Sequence, residues 1–484
     1  MVNNLKRKIV VNLAWKFTET CGSQFVSFVV SIILARLLAP SDYGTIALVT
    51  VITNILSVFV ESGFGSALIQ KKDVDTLDFS SVFWCNVTIC LTMYAGLAFI
   101  APHVAYFYNN DKLTPIVRAI GLTMVLSGFG VTQRAYIQRN LMFKYSFFAS
   151  IGSCLISAVV GISMACRGFG VWALVAQQLI ASVMNTAILW VTSSWRPRFI
   201  FSWKRLSVLF SFGWRLLASS LLHTFYTNFR QLLVGKFYSS TDLGLFNRGQ
   251  TFPSIIVSNV NSTIGSVMFP VMSSCQDNVA QVRRITRRMI VVSSYLMWPL
   301  MMGIAATGET LVTLLLGEKW IACVPFMIAF CFALGLEPMQ TANLAAMKAL
   351  GRSDIYFKLE IIKKCTAIAI AIIAVQVNVF VLCVSAAVYS VVASIINSTP
   401  NRKLLDYSYF QQIHDILPSF VLAIVMGMII WLCPMPDFPL ATVLLIQIFL
   451  GVGIYLVGSF IFHLEGLVEV KDVMSEMLRS KGYK

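Results

Sequence analysis

Charge is what this chain has least of. Asp, Glu, Lys and Arg make up 12% of its 484 residues, hydrophobic residues make up 57%, and the mean hydropathy is +0.78. A soluble chain carries about 25% charged residues, so there is too little polar surface here to face water, and a soluble enzyme or soluble binding module is excluded. Acidic residues are scarcer than basic ones, 21 against 37, for a net charge of +16. The four histidines show no ligand spacing. The eleven cysteines (Cys85, Cys154, Cys331 and Cys383 among them) are scattered through apolar stretches with no C-x-x-C pair, so they read as small packing residues rather than as a metal or disulfide framework. There is no G-x-x-x-x-G-K-[ST] phosphate loop, no dinucleotide-binding glycine loop in context and no nucleotide-sized soluble stretch. The chain therefore does not hydrolyse ATP itself. The connectors are short and carry no paired carboxylates, which argues against an enzyme working in an extracytoplasmic loop. Lys6-Arg7-Lys8 precede a long apolar stretch without a small-x-small cleavage site, so that stretch reads as an uncleaved first helix.

What is abundant is membrane-length apolar sequence. Segments of about 20 apolar residues, enough to cross a bilayer, recur about fourteen times, the first beginning near Val10 and the last near Leu440. The chain also repeats itself. Arg36, Asp42, Gly44 and Gly65-Ser66 are answered by Lys236, Asp242, Gly244 and Gly265-Ser266 at an offset of 200 positions, and Trp15-Lys16 by Trp214-Arg215 at an offset of 199. The expected fold is an all-α polytopic membrane protein. Two six-helix lobes, 1–200 and 201–400, are related by a parallel pseudo-twofold repeat, with two further helices in 401–484. A duplicated bundle in one chain is a common transporter design, with a cleft between lobes.

Orientation follows from the basic residues. With the N-terminus inside, cytoplasmic connectors carry Lys71-Lys72, then Arg134, Arg139 and Lys144, then Arg196, Arg198, Lys204 and Arg205, then Arg283, Arg284, Arg287 and Arg288, then Lys348, Arg352 and Lys358, then Arg402-Lys403. The opposite connectors hold only a scatter, as the positive-inside rule demands. Both termini are expected in the cytoplasm. The positive charge is spread over short loops facing anionic lipid, which makes nucleic acid an improbable partner.

Polar chemistry concentrates on four helices. In the seventh span Arg215, Ser219, His223, Tyr226 and Arg230 are spaced 4, 4, 3 and 4 residues apart and fall within roughly an 80° arc. In the first span Lys16, Thr20, Gln24, Ser27 and Ser31 repeat the pattern, with Glu19 beside them. The second adds Thr50, Asn54, Ser57 and Glu61, and the eighth Gln250, Ser254, Ser258 and Asn261. Together these faces are expected to line one hydrated cavity. Plainer explanations exist for several of them. Serine and threonine bond back to their own helix. Lys16 and Arg215 lie near the cytoplasmic end and can snorkel to headgroups, and His223 can be a satisfied packing residue. Lys363 and Lys364 read as interfacial anchors. Arg230 and Glu61 resist such explanations, because an ionised group near mid-bilayer costs about 2.5–3.5 kcal/mol unless it faces water or a partner. Cations converging in a low-dielectric cleft favour an anionic group, and a phosphate or diphosphate is the common biological choice.

The stretch Leu34-Ala35-Arg36-Leu37-Leu38-Ala39-Pro40-Ser41-Asp42-Tyr43-Gly44, then Ser66 to Asp73 and Val82-Phe83-Trp84, resembles the Wzx-type polysaccharide flippases. So do Gly170-Val171-Trp172-Ala173-Leu174, Trp195-Arg196-Pro197-Arg198 and Leu315-Leu316-Gly317-Glu318-Lys319-Trp320. The resemblance covers the chain from about residue 10 to 360 and places it in the superfamily of the drug/cation antiporters and the peptidoglycan-precursor flippase. It implies a MATE-like fold and a multi-pass protein of the bacterial cytoplasmic membrane. The implied substrate is an isoprenoid-diphosphate-linked oligosaccharide, translocated by lobes that rock between inward-open and outward-open states. A cation gradient, H+ or Na+, drives the cycle, no cofactor is needed, and the working unit is a monomer. The polymerase and chain-length regulator of the same pathway are the implied protein partners. Mapped onto this sequence, the basic inner cavity is Lys16, Arg215 and Arg230, with Arg134 near the cytoplasmic mouth. His223, Tyr226, Asn54 and Asn261 complete the substrate face, and Glu61 and Glu19 are the ion-coupling candidates. Where relatives carry an acidic residue in the seventh span, Arg230 stands here beside Gln231, which points to an acidic repeat unit. Two other functions compete. A multidrug antiporter of the same superfamily would want an acidic cavity, and a non-transporting scaffold of a polysaccharide assembly complex would not need polar stripes.

Overall fold

The computed structural model describes residues 2–61, 68, 74–264, 268–433 and 438–481, and every regular element among them is helical. Two compact units divide the chain, Met1–Gly244 and Leu245–Lys484. The first holds α1 (Val2–Leu37), α2 (Pro40–Glu61), α3 (Thr76–Phe107), α4 (Leu113–Arg139), α5 (Phe143–Cys166), α6 (Val171–Thr192) and α7 (Trp203–Phe237). Helix α8 (Ser240–Thr263) begins in the first unit and continues into the second. The rest of the second unit is α9 (Phe269–Ser274), α10 (Val279–Ala306), α11 (Gly308–Leu315), a 3-10 turn (Glu318–Cys323), α12 (Val324–Gly335), α13 (Glu337–Ala349), α14 (Ser353–Ala374), α15 (Val379–Leu404), α16 (Tyr409–Leu432), α17 (Leu440–Ile461) and α18 (Glu465–Lys481).

Eleven helical segments among the described residues are long and apolar enough to cross a membrane: α1 to α6, α10, the run from the 3-10 turn through α13, and α15 to α17. Three more helices have the length without the apolarity: α7 with 35 residues, α8 with 24 and α14 with 22. The expected count of fourteen rests on those three, and they are helices on which polar residues concentrate.

The duplicated Asp-x-Gly signature has a structural cause. Asp42 Oδ2 accepts from the Ala39 N–H at 3.2 Å, and Asp242 Oδ2 accepts from the Ser239 N–H at 3.2 Å and from Ser239 Oγ at 2.6 Å. Each carboxylate thus satisfies an orphan donor at the start of its helix. Each glycine then lets the starts of α2 and α8 meet backbone to backbone. A Cβ at Gly44 would sit 1.6 Å from the Ser240 carbonyl oxygen, and one at Gly244 would sit 2.0 Å from the Pro40 carbonyl oxygen.

Other motif residues have structural work as well. Helix α3 starts on a capping box in which Asp75 Oδ1 accepts from the Asp78 N–H at 2.8 Å. Its first turns also hold the extended linker that leads to α7. The Arg198 N–H donates to Ser80 Oγ at 3.1 Å, the Ser202 N–H to Ser81 Oγ at 3.0 Å, and Trp84 Nε1 to the Arg198 carbonyl at 2.9 Å. Trp195 packs beside them with Phe79 and Phe83. In the second unit Gly317 turns with φ +94, a conformation that favours glycine. The turn buries Trp320 completely beneath the guanidinium of Arg248, 5.6 Å from the ring centroid.

The second unit is built around α10, which packs most extensively on α16. Its core is rich in methionine, with Met289, Met297, Met301 and Met302 around Trp298. Buried amides tie the surrounding helices. Asn343 Nδ2 donates to Gln412 Oε1 at 2.7 Å, Asn401 Nδ2 to Asn343 Oδ1 at 2.6 Å, and Gln340 Nε2 to Ser390 Oγ at 3.2 Å. Away from the membrane interior, Arg287 forks to Asp415 at 2.9 Å and to Glu465 at 2.6 Å, and Arg288 meets Glu469 at 2.6 Å, so α18 is tied to α10. The Tyr407 hydroxyl donates to Asp415 at 2.6 Å, and burial together with that bond pushes its phenol well above the ordinary tyrosine range. Lys363 departs from its expected role as an interfacial anchor. It is 7% exposed and bonded to Glu360 at 2.5 Å, so its ammonium is held inside the bundle instead of reaching headgroups.

Candidate functional site

Lys16 and Glu19 of α1 line a partly open polar cavity inside the first unit. Four helices contribute to it because α1 packs on α5, α5 on α6 and α6 on α4. Lys16 and Glu19 come from α1, Arg134 and Gln138 from α4, Ser146 and Ser150 from α5, and Asn185 from α6, around a cavity of about 310 Å3. Glu19 is 8% exposed and doubly engaged: Lys16 Nζ donates to its Oε2 at 3.1 Å, and Ser150 Oγ to its Oε1 at 3.0 Å. Arg134 Nη2 donates to Asn185 Oδ1 at 3.2 Å. Two cations face one carboxylate, so the cavity carries an excess of positive charge. Lys16 is about half exposed, so water or an anion can offset that excess. The volume lies at the low end for ligand pockets. It suits a phosphate-sized anion or several waters and is far too small for an oligosaccharide.

Lys16, Glu19 and Arg134 were expected on the substrate and ion-coupling faces, and the structure brings these three together. Arg230, His223 and Tyr226 lie on α7, which packs on α2 and α3 and contributes nothing to this cavity. His223 is exposed, whereas Arg230 and Tyr226 are half-buried. Asn54 is exposed on α2, and Asn261 is half-buried on α8. The side chains of Arg215 and Glu61 lie outside the described residues. Several hydroxyls of the polar stripes bond to their own helices: Thr20 to the Lys16 carbonyl at 3.0 Å, Ser57 to that of Asn54 at 2.9 Å, Thr227 to that of His223 at 3.1 Å and Ser258 to that of Ile255 at 3.0 Å. These contribute little chemistry. Among the described residues no group of three His, Cys, Asp or Glu side chains could hold a metal ion.

Reading the sequence helix by helix missed Gln138, Ser146, Ser150 and Asn185. A signal was present: Arg134 and Gln138, like Ser146 and Ser150, stand four apart on membrane-length helices and so share a face. Asn261 proves to belong to a different neighbourhood. Thr341 Oγ1 donates to its Oδ1 at 3.1 Å, and its side chain hydrogen-bonds Glu337, a carboxylate that was not anticipated.

Comparison with known proteins adds sequence relationship to this geometry. Residues 33–325 match the model of a family described as polysaccharide biosynthesis protein. The succinoglycan biosynthesis transport protein ExoT of Rhizobium meliloti is 25% identical over 72% of this chain and 71% of its own length. The teichuronic acid biosynthesis protein TuaB of Bacillus subtilis is 24% identical over 73% of this chain and 74% of its own. Among solved structures, the lipid II flippase MurJ in an inward closed conformation superposes with a TM-score of 0.74 at 13% identity, covering 93% of this chain and 99% of that one. That likeness establishes the fold.

Proposed function

Because this chain belongs to the polysaccharide biosynthesis protein family, we propose that it is the transporter of such a pathway and not one of its enzymes. It carries isoprenoid-diphosphate-linked oligosaccharide repeat units, on undecaprenyl in bacteria, across the cytoplasmic membrane for exopolysaccharide, capsule or O-antigen export. The observation that supports the reading beyond the family is an excess of cationic groups around one polar cavity. Lys16 and Arg134 line it together with a single carboxylate, Glu19. A diphosphate is the anion that a membrane-embedded carrier lipid presents, and guanidinium and ammonium donors suit it. In this account the sugars and diphosphate travel through the protein while the isoprenoid tail stays in the bilayer.

The finer assignments belong to the same proposal. Helices α7, α8 and α14 span the membrane with the eleven apolar segments. Both termini are cytoplasmic, and the sequence lobes 1–200 and 201–400 alternate access, followed by the addition 401–484. Arg230, Arg215, His223, Tyr226, Asn54 and Asn261 serve the sugar–diphosphate head along its route, with Lys16 and Arg134 at the cytoplasmic end. Glu19 and Glu61 are available to a coupling cation, H+ or Na+. One chain suffices for a cycle, and the polymerase and chain-length regulator receive the product.

Deleting the gene in its native host and analysing isoprenoid diphosphates by mass spectrometry tests this directly. Accumulation of a completed repeat unit on the inner leaflet is expected, and it identifies the sugar at once. An unchanged pool with intact surface polymer overturns the reading, and hypersensitivity to cationic drugs in the same strain would then mark a multidrug antiporter.

A further inference from the structure

The linker between α6 and α7 presents aromatic and basic side chains together, and none of the roles described so far uses it. Phe199 is 92% exposed, Phe201 51% and Trp203 71%, with Ile200 between the first two. Phe199 stacks on Trp84 of α3 with ring centroids 4.9 Å apart, and the Phe201 and Trp203 rings stand 6.2 Å apart. These aromatics do not ride on a loose loop. The Arg198 N–H, the Arg198 carbonyl and the Ser202 N–H bond to Ser80, Trp84 and Ser81 of α3, which pins the chain on both sides of Phe199. Pro197 adds a backbone dihedral fixed by its own ring. Rings held this far into the open contribute little to packing among the described residues.

The charge of the segment is equally unmatched. Arg196, Arg198, Lys204 and Arg205 are all exposed. Arg205 meets two carboxylates, Asp75 at 3.5 Å and Asp78 at 3.7 Å. The guanidinium of Arg196 donates to the main-chain carbonyls of Ser193 and Trp195, neutral groups that leave its charge in place. Arg198 and Lys204 pair with no carboxylate among the described residues. Lys204 also stands in the first turn of α7, where a cation opposes the helix dipole, so the helix itself gains nothing from it. Elsewhere on the chain Arg283, Arg287, Arg288 and Arg352 each hold a carboxylate within 3.0 Å. Three unmatched cations thus interleave with three exposed rings where the apolar span α6 ends. That is the chemistry of the interfacial layer of a bilayer, in which aromatic rings sit at headgroup level and guanidinium and ammonium groups meet phosphate. A protein docking there would have to enter the headgroup layer, so the position favours lipid as the occupant.

We propose that residues 196–204 form a binding site for anionic phospholipid. Phe199, Phe201 and Trp203 seat in the interfacial layer, and Arg196, Arg198 and Lys204 hold the headgroup phosphate. A zwitterionic lipid also presents a phosphate, but its own ammonium cancels that charge, so cations without carboxylates select a lipid with net negative charge. In the orientation proposed above the site meets the cytoplasmic leaflet, whose anionic lipids attract basic segments. The inference goes beyond the transporter reading and does not depend on it, because the site requires a bilayer and no transported substrate.

Trp203 is its own reporter. The test is fluorescence quenching on the full chain in phosphatidylcholine nanodiscs. A small fraction of the lipid is either phosphatidylglycerol or phosphatidylcholine with a quencher attached high on the acyl chain. The signal of Trp203 is taken as the difference between wild type and Trp203→Phe. Labelled phosphatidylglycerol is expected to quench it well beyond labelled phosphatidylcholine at the same mole fraction. In the Arg198→Gln, Lys204→Gln double variant the preference falls at least fivefold, since one basic residue at a membrane surface contributes about that factor, while quenching by phosphatidylcholine stays. High salt on the wild type reads the same contacts if the double variant fails to fold, and it lowers the preference by screening. Equal quenching by the two lipids in the wild type, or a preference that survives the double variant or, in its place, high salt, overturns the proposal. No quenching by either lipid puts the rings outside the bilayer, which overturns it as well and leaves the surface to a protein. The isoprenoid-diphosphate pool of the deletion strain bears on the flippase reading alone, so either claim can fail without the other.

Discussion

The two halves of this chain share a helix-start signature and differ in their buried charge. At the helix starts they are near copies, with Asp42 and Gly44 doing for α2 what Asp242 and Gly244 do for α8. In their interiors they differ. The first unit gathers two cations and one carboxylate around a cavity, Lys16 and Arg134 with Glu19. The second holds Glu360 paired with Lys363, and a half-buried Glu337 hydrogen-bonded to Asn261. Duplication preserved what the backbone requires, because a glycine at a backbone crossing has no substitute, while buried charge diverged. In the proposed mechanism the cations of the first unit meet the anionic substrate.

The comparison breaks most severely if the shared scaffold is disturbed. Gly44→Ala puts a methyl group 1.6 Å from a backbone carbonyl, so the crossing must open at a cost of about 3 kcal/mol or more. Gly244→Ala should do nearly the same. Monodisperse protein recovered in mild detergent should fall sharply for both, and normal recovery of either would show that the crossing is not a fixed point. Next in size are the charge variants. Arg134→Ala and Lys16→Met should lower polymer export at least tenfold (about 1.4 kcal/mol or more) while membrane levels stay normal. Arg230→Ala should do likewise if the anion passes along α7. Export unaffected by all three would remove the positive half of the comparison. The smallest effect is expected from deleting residues 465–484, which have no counterpart in the first half. The lost pairs are half-exposed and contribute less than about 1 kcal/mol each, and Arg287 keeps Asp415. A thermal midpoint lower by a few degrees with export intact is the expected result, and loss of export would mean that α18 has a role beyond docking.

Much of the fold was legible in sequence, and the reasons are physical. Apolar length reports membrane helices, and the Asp-x-Gly repeat could be found because its geometric requirement tolerates no substitute. The helices that fail the test of apolarity, α7, α8 and α14, are the informative ones, since a charged membrane-length helix implies an interior for its charges to face. The site was legible in part. Lys16, Glu19 and Arg134 stood out as charges within or beside apolar runs, and packing brought them together. Ser150 and Asn185 look ordinary until α5 and α6 close on α1. The interior charges of the second unit were hidden for two reasons. Glu337 stands on a different helix from Glu360 and Lys363, and Lys363 reads as an interfacial anchor until its burial is seen.

The most direct measurement is the isoprenoid-diphosphate pool of a deletion strain complemented with wild type or with the Lys16→Met, Arg134→Ala double variant at matched membrane levels. If the cationic interior handles the diphosphate, the double variant accumulates a complete repeat unit on the inner leaflet as the deletion does, and wild type clears it. If the double variant clears the pool as well as wild type, the anion passes without these residues and the central claim is wrong.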